Sequence, residues 1–339
     1  MTESTLKNVG AGQSPAPTGS APRPAEATSG SPRRGAAQAR RRRTSKLIRP
    51  WALLAPGLIV IGALLGWPII KVVLLSFQNY GLRQIVSGTW NFNGGANYAD
   101  VLGSAQLWQV VLPNTVVFAI LAVTATVVLG TLVALLLAKL GPILRGIVSS
   151  VIMIAWAMPA VTGTYVWSWI FDADAGIANQ LLMSMGWMDQ PFNWFTNRFT
   201  FYAIVLLNVV HHGFPFVAIT VLAAFLGVPR EHIEAAEMDG AGPWRVFWLI
   251  VIPQLRQVFA IVIILSTIWD FKVFTQVYLM PGGDGANRDV LNLGVWSYTE
   301  SFGQNKFGYG STIAVLLTVV LLIVTVIYAR TILSQEDGS

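Results

Sequence analysis

The sequence predicts an all-α integral membrane protein with six transmembrane helices and cytoplasmic N- and C-termini. Of its 339 residues, 54% are hydrophobic and only 11% charged, with a mean hydropathy of +0.59, whereas a soluble domain carries about 25% charged residues. Six apolar runs are long enough for a helix to cross the hydrocarbon, which takes about 20 residues. The basic residues between those runs gather on one side once six spans are assumed, as short cytoplasmic loops require.

In chain order, residues 1–50 come first. They are rich in Ser, Pro, Ala, Gly and Thr and carry most of the +6 net charge, through Arg33, Arg34, Arg40 to Arg43, Lys46 and Arg49. Such a segment lacks the hydrophobicity that would offset the entropy of ordering it, so a disordered basic cytoplasmic tail is expected. Its arginines serve as a topology anchor, with anionic lipid or a partner as the other reading. They do not mark a nucleic-acid-binding face. The run that follows, Trp51 to Phe77, exceeds the ~7 to 15 apolar residues of a signal peptide, and no A-x-A site follows it. It is retained as the first span of a membrane domain covering 51–335.

The remaining spans are expected at Val110 to Leu140, Gly146 to Phe171, Phe199 to Leu226, Gln257 to Phe274 and Ser311 to Leu333. The tail, the Lys139 and Arg145 turn, the segment with Arg230, Arg245 and Arg256, and Arg330 then share the inner side. The opposite connections, Gln78 to Gln109, Asp172 to Arg198 and Val273 to Gly310, are longer, poorer in Lys and Arg, and bear Trp90, Trp187, Trp194 and Trp296. Such aromatic residues favour the membrane interface.

Several chemistries are excluded. The chain has no cysteine, which removes disulfides, thiolate metal ligands and cysteine nucleophiles. It contains no G-x-x-x-x-G-K-[S/T], H-E-x-x-H or G-x-S-x-G run, hence no phosphate loop, zinc-protease or hydrolase signature. Adjacent His211 and His212 leave a helix about 100° apart and make a poor metal pair. No metal site and no catalytic residue is expected.

The long inner connection, 227–256, carries the most information. Pro229 suits the start of a helix and Gly240 its end, since proline lacks a donor that position does not need and glycine accepts a left-handed stop. Glu231 and Glu234 complement the N-terminal dipole, and Ala235 and Ala236 keep one face small. After Gly240, Gly242 and Pro243, an apolar elbow from Trp244 to Ile252 returns to the bilayer, with Pro253 at the bend. The product is a short rigid lever on the membrane surface.

Glu234-Ala235-Ala236, then Gly240, then Ile252-Pro253 twelve residues on resembles the EAA loop of permease subunits in binding-protein-dependent ABC importers. Asn97-Tyr98, Asn114-Thr115 and Pro159 are similar to features of the carbohydrate-uptake permeases related to the maltose system. Ile252 stands where leucine commonly precedes the proline. The resemblance implies a type I importer permease fold in a bacterial cell membrane. It implies that Glu234, Ala235, Ala236, Asp239, Gly240 and Pro253 couple to a separate cytoplasmic ATPase. The chain would hold no cofactor; ATP and Mg would be bound by that partner. The implied partners are a second homologous permease, two ATPase subunits, an extracytoplasmic solute-binding protein, a sugar and membrane lipid.

A translocation path needs polar or aromatic groups facing the bundle interior, because such groups are costly against lipid. In the fourth span Asn208, His212 and Phe216 fall four apart on one face, beside Gly213 and Pro215; in the fifth, Ser266, Trp269 and Asp270 lie three to four apart. Aromatic faces with hydrogen-bonding side chains suit a neutral sugar, and the resemblance places a substrate path in these two spans. The same stripes also fit helix packing. The alternative function is a secondary transporter or channel working without ATP. It calls for repeated halves and buried ionisable groups, but there is no internal repeat and Asp270 is nearly alone.

Overall fold

The computed structural model describes residues 53–336. The tail expected to be disordered lies outside the described residues. A division falls between Ala63 and Leu64; the packing that follows is that of the described residues from Leu64 onward. The described residues are helical, without a β-strand apart from one isolated bridge between Gln78 and Phe92.

Helix α1 spans Leu53–Ser76, α2 Leu107–Lys139, α3 Pro142–Trp156, α4 Ala160–Ile170 and α5 Arg198–Leu226. Helix α6, Arg230–Met238, lies in the long connection, and α7 (Arg256–Phe271) and α8 (Phe307–Glu336) complete the set. Among the described residues, five helices are long and apolar enough to cross a membrane, and α3 with α4 makes a sixth crossing when counted as one.

That third crossing differs from the single helix expected over 146–171. Helices α3 and α4 meet at 89°. The cause is Pro159, at φ −56° and ψ 134° immediately before α4. Its ring bars the preceding residue from helical geometry, and its missing N–H removes one rung of the ladder. Pro215 has the same chemistry, yet α5 runs through it unbroken.

The difference lies in packing. Helices α2 and α5 form the centre of the bundle. Ala122, Thr126, Gly130 and Ala134 recur every fourth residue along α2 and are all buried. A Cβ added to Gly130 would stand 2.6 Å from Val217, and one on Gly213 would stand 3.0 Å from Thr126. In lipid, such small-residue faces let backbones approach and gain dispersion contact. Pro215 sits between two of these close contacts, so its helix is held straight from outside.

Three apolar clusters lie along this pair. The largest joins α2 and α5 to residues 273–296 through Phe118, Phe201, Ile204, Val277, Leu293 and Trp296. The second joins Ala134, Val217, Val221 and Val262. The third, Val228, Val246, Val251 and Leu255, supports the long connection.

Polar clamps set the end of the bundle away from that connection. Asn114 Nδ2 donates to the carbonyls of Asp289 and Leu291 at 2.9 and 2.8 Å, and Leu293 N donates to Thr115 Oγ1 at 3.0 Å. Asn97 Nδ2 donates to the carbonyls of Ser76 and Gln78, both at 3.0 Å, and Tyr98 Oη pairs with Ser76 Oγ at 2.7 Å. At the other end, the Arg145 guanidinium donates to the carbonyls of Leu137, Ala138 and Leu140. It thereby caps α2, whose C-terminal dipole favours a cation.

Candidate functional site

Two groups of residues carry chemistry or mechanics beyond packing. The first is the 227–256 connection. Helix α6 begins after Pro229 and ends in a left-handed glycine, Gly240 at φ 79°. Ala241 N donates to Ala236 O at 2.9 Å and Gly240 N to Glu237 O at 3.0 Å. This double closure satisfies the last carbonyls and stops the helix sharply. Asp239 is the C-cap and is exposed.

One face of α6 is anchored. Ile233 and Ala236 pack on Val228, Val246, Val251 and Leu255. Glu234, Ala235 and Met238 are exposed, Met238 at 89%. The two alanines therefore do different things: Ala236 lets α6 lie close on its own elbow, and Ala235 belongs to the open face. Within the elbow the backbone widens into a π-helix, Phe247–Val251, and passes exposed Pro253 before breaking at Leu255, just ahead of α7. A proline cannot donate to the preceding turn, and a π-helix accommodates that lost rung.

The second group lies where α3, α4, α5 and α7 meet. Phe216 stands 5.1 Å from Trp269 and 6.3 Å from Trp156, ring centroid to centroid. Rings from three separate helices thus converge, with Trp269 44% exposed. Such edge and offset contacts add to the burial energy and hold the rings in place. Asn208 is buried, and its Nδ2 donates to Thr164 Oγ1 at 3.2 Å. That bond ties α5 to the half-helix beyond the Pro159 break. His212 is partly buried between these two levels.

Ser266 and Asp270, one turn apart on α7, are both buried, and Asp270 Oδ2 has no hydrogen-bond partner among the described residues. The ion pairs among the described residues both involve Glu300, so Asp270 and Lys272 do not pair. Thr126 Oγ1 is likewise buried without a partner among the described residues.

Thr164 has no periodic signal in its apolar run, and Trp156, three residues before a proline, reads equally as packing. The inward role of Ala236 was hidden because adjacent alanines look alike until the helix phase is known.

The chain from residue 126 to residue 336 matches the family described as "Binding-protein-dependent transport system inner membrane component". The matched stretch holds both groups of residues. The diacetylchitobiose uptake system permease protein DasB of Streptomyces coelicolor is 38% identical over 304 residues, covering 89% of this chain and 92% of its own length. The inner membrane ABC transporter permease protein YcjO of Escherichia coli is 31% identical over 273 residues, covering 80% and 90%. Among solved structures, a bacterial ABC transporter involved in the import of the acidic polysaccharide alginate has a similar fold. The TM-score is 0.72 at 18% identity, covering 86% of this chain and 98% of that one. A family match over more than half of the sequence, together with these relatives, places the chain among the inner-membrane permease components of binding-protein-dependent transport systems.

Proposed function

We propose that this chain is one permease subunit of an ATP-driven sugar importer, contributing half of the translocation path and coupling to a separate ATPase through 227–256. One observation carries the coupling role: α6 is fixed on one face by Ile233 and Ala236 while Glu234 and Ala235 on the other are exposed. A helix so mounted transmits a push from a docked protein into α5 and α7, because the elbow beneath it is packed and interiors transmit strain. Glu234, Ala235 and Asp239 would meet the ATPase; Gly240 and Pro253 set the lever's two ends. ATP and Mg belong to that partner chain.

The sugar reading is supported by the converging rings of Trp156, Phe216 and Trp269, with Asn208, His212, Ser266 and Asp270 supplying hydrogen-bonding groups at nearby levels. Aromatic faces with a few placed polar groups suit a neutral, hydroxyl-rich ligand. The relative named for diacetylchitobiose uptake points the same way. In the assembled importer both termini and α6 face the cytoplasm, and the connections on the opposite side meet a solute-binding protein. A second homologous permease completes the path, and two ATPase subunits drive it.

The test is purification of the tagged chain from its native membrane in mild detergent, with mass spectrometry of the eluate and an ATPase assay. A second permease and an ATPase subunit are expected, and the co-purifying binding protein is then screened against neutral sugars. Recovery of the chain as a homo-oligomer without ATPase would instead favour a secondary transporter or channel.

A further inference from the structure

A groove of about 1030 Å³ runs between α2, α7 and the elbow, on the side where α6 lies. Its size is at the upper end of the range for small-molecule sites. Val128, Leu132 and Leu135 of α2 form one wall, Phe259 and Ile263 of α7 another, and Trp248 of the elbow joins them. These walls offer almost no polarity. Thr131, the hydroxyl-bearing residue of the α2 wall, donates to Val127 O at 2.7 Å, which keeps its hydroxyl within its own helix.

Charge is confined to the ends of the helices. Lys139 is the last residue of α2 and Arg256 the first of α7; both line the groove and both are exposed. Neither side chain makes an ion pair or a hydrogen bond among the described residues. The C-terminal carbonyls of α2 would repel an anion, but Arg145 already covers those of Leu137, Ala138 and Leu140. Glu237 of α6 is the remaining charged residue of the lining, so the three groups together leave one positive charge.

Depth decides what fits. Val128 lies eleven residues from Lys139 and Ile263 seven from Arg256, about 16 and about 10 Å along their helices. One leaflet is half of the hydrocarbon core, about 15 Å. The groove is therefore apolar through one leaflet and cationic where the head groups lie. Trp244 and Trp248, 5.7 Å apart and both exposed, also line it, as suits indoles at the membrane interface.

We propose that this groove binds a singly anionic phospholipid of the leaflet on the α6 side. Its phosphate lies between Lys139 and Arg256, and an acyl chain runs along α2 and α7. Basic pockets between membrane helices hold anionic head groups in this way, and the single net positive charge matches one phosphodiester. A free phosphate would use only the mouth, and an apolar helix of another chain would leave both cations without a counter-charge. Ile233 lines the groove as well as anchoring α6 to its elbow, so the bound chain backs the lever from beneath.

The test uses the complete importer, purified in mild detergent and depleted of loosely held lipid. Phosphatidylglycerol is titrated in, and native mass spectrometry reads what is retained. Lys139→Gln with Arg256→Gln should weaken retention about thirtyfold, the loss of two interfacial cations. Lys139→Arg with Arg256→Lys should restore it. Ala260→Trp fills the groove and keeps both charges, and it should remove one bound lipid while the ATPase and second permease still co-purify.

Retention unchanged in the glutamine pair or in Ala260→Trp would overturn the site. Equal retention of phosphatidylcholine would overturn the anionic head group and leave an ordinary lipid belt. Displacement of phosphatidylglycerol by glycerol phosphate at equal concentration would reduce the site to an anion-binding mouth. Because the chain lacks cysteine, Leu132→Cys gives a single thiol in the groove; its cross-linking to the second permease would show that protein, not lipid, covers these walls.

Discussion

At the level of single residues, fit decides more than type. Gly130 is invisible to a hydropathy scan, yet a Cβ there would meet Val217 at 2.6 Å and Ala218 N at 3.1 Å. The backbone cannot yield as a flexible side chain would, so Gly130→Ala should destabilise the α2 and α5 contact by roughly 1 to 3 kcal/mol. A lower melting temperature of the detergent-purified importer checks this. Asn208 is a different case, because its side chain is bonded to Thr164 at 3.2 Å while lying on the face proposed to line the path. Asn208→Ala should lower uptake while leaving assembly intact, as should Trp269→Ala. Normal transport kinetics in either variant would remove that residue from the path. The periodicity of 208, 212 and 216 made this face legible, but the bond to Thr164 was not, because it joins residues 44 positions apart.

Among the elements, α6 is the one whose sequence prescribed most of its structure. Pro229 before it, Gly240 after it and acidic residues in its first half agree with the observed nine-residue helix and its left-handed stop. Local signals suffice there because capping is settled within a turn or two. The third crossing shows the opposite. Pro159 and Pro215 are alike in sequence, but one parts two helices and the other lies inside an unbroken one. Only the neighbouring contacts at Gly213 and Gly130 distinguish them. For α6 itself, Glu234→Lys or Gly240→Pro should insert and assemble normally but lose the coupling of hydrolysis to uptake. ATPase activity without sugar accumulation in proteoliposomes is the expected result, and normal uptake by either variant would deny α6 its role.

For the molecule as a whole, the presence of five to six apolar helices of crossing length followed from composition, because hydrocarbon thickness fixes how long an apolar helix must be. The layout of the opposite end did not, since it depends on side chains reaching distant backbone. Asn114 holds the carbonyls of Asp289 and Leu291, 175 and 177 residues along the chain. Asn114→Ala should free residues 288–293 by about 1 to 3 kcal/mol, seen as faster amide hydrogen exchange there with α2 and α5 still protected. The break at Pro159 also bears on how the chain is made. Its two pieces are 15 and 11 residues long, each short of the ~20 that cross a bilayer alone. When they leave the ribosome, neither is a competent span, and the α5 rings on which they pack, Phe216 for Trp156 and His211 for Trp167, have yet to be synthesised. The third crossing is therefore expected to settle only when the fourth arrives, and a ribosome stalled before α5 should deliver a protein open to membrane proteases.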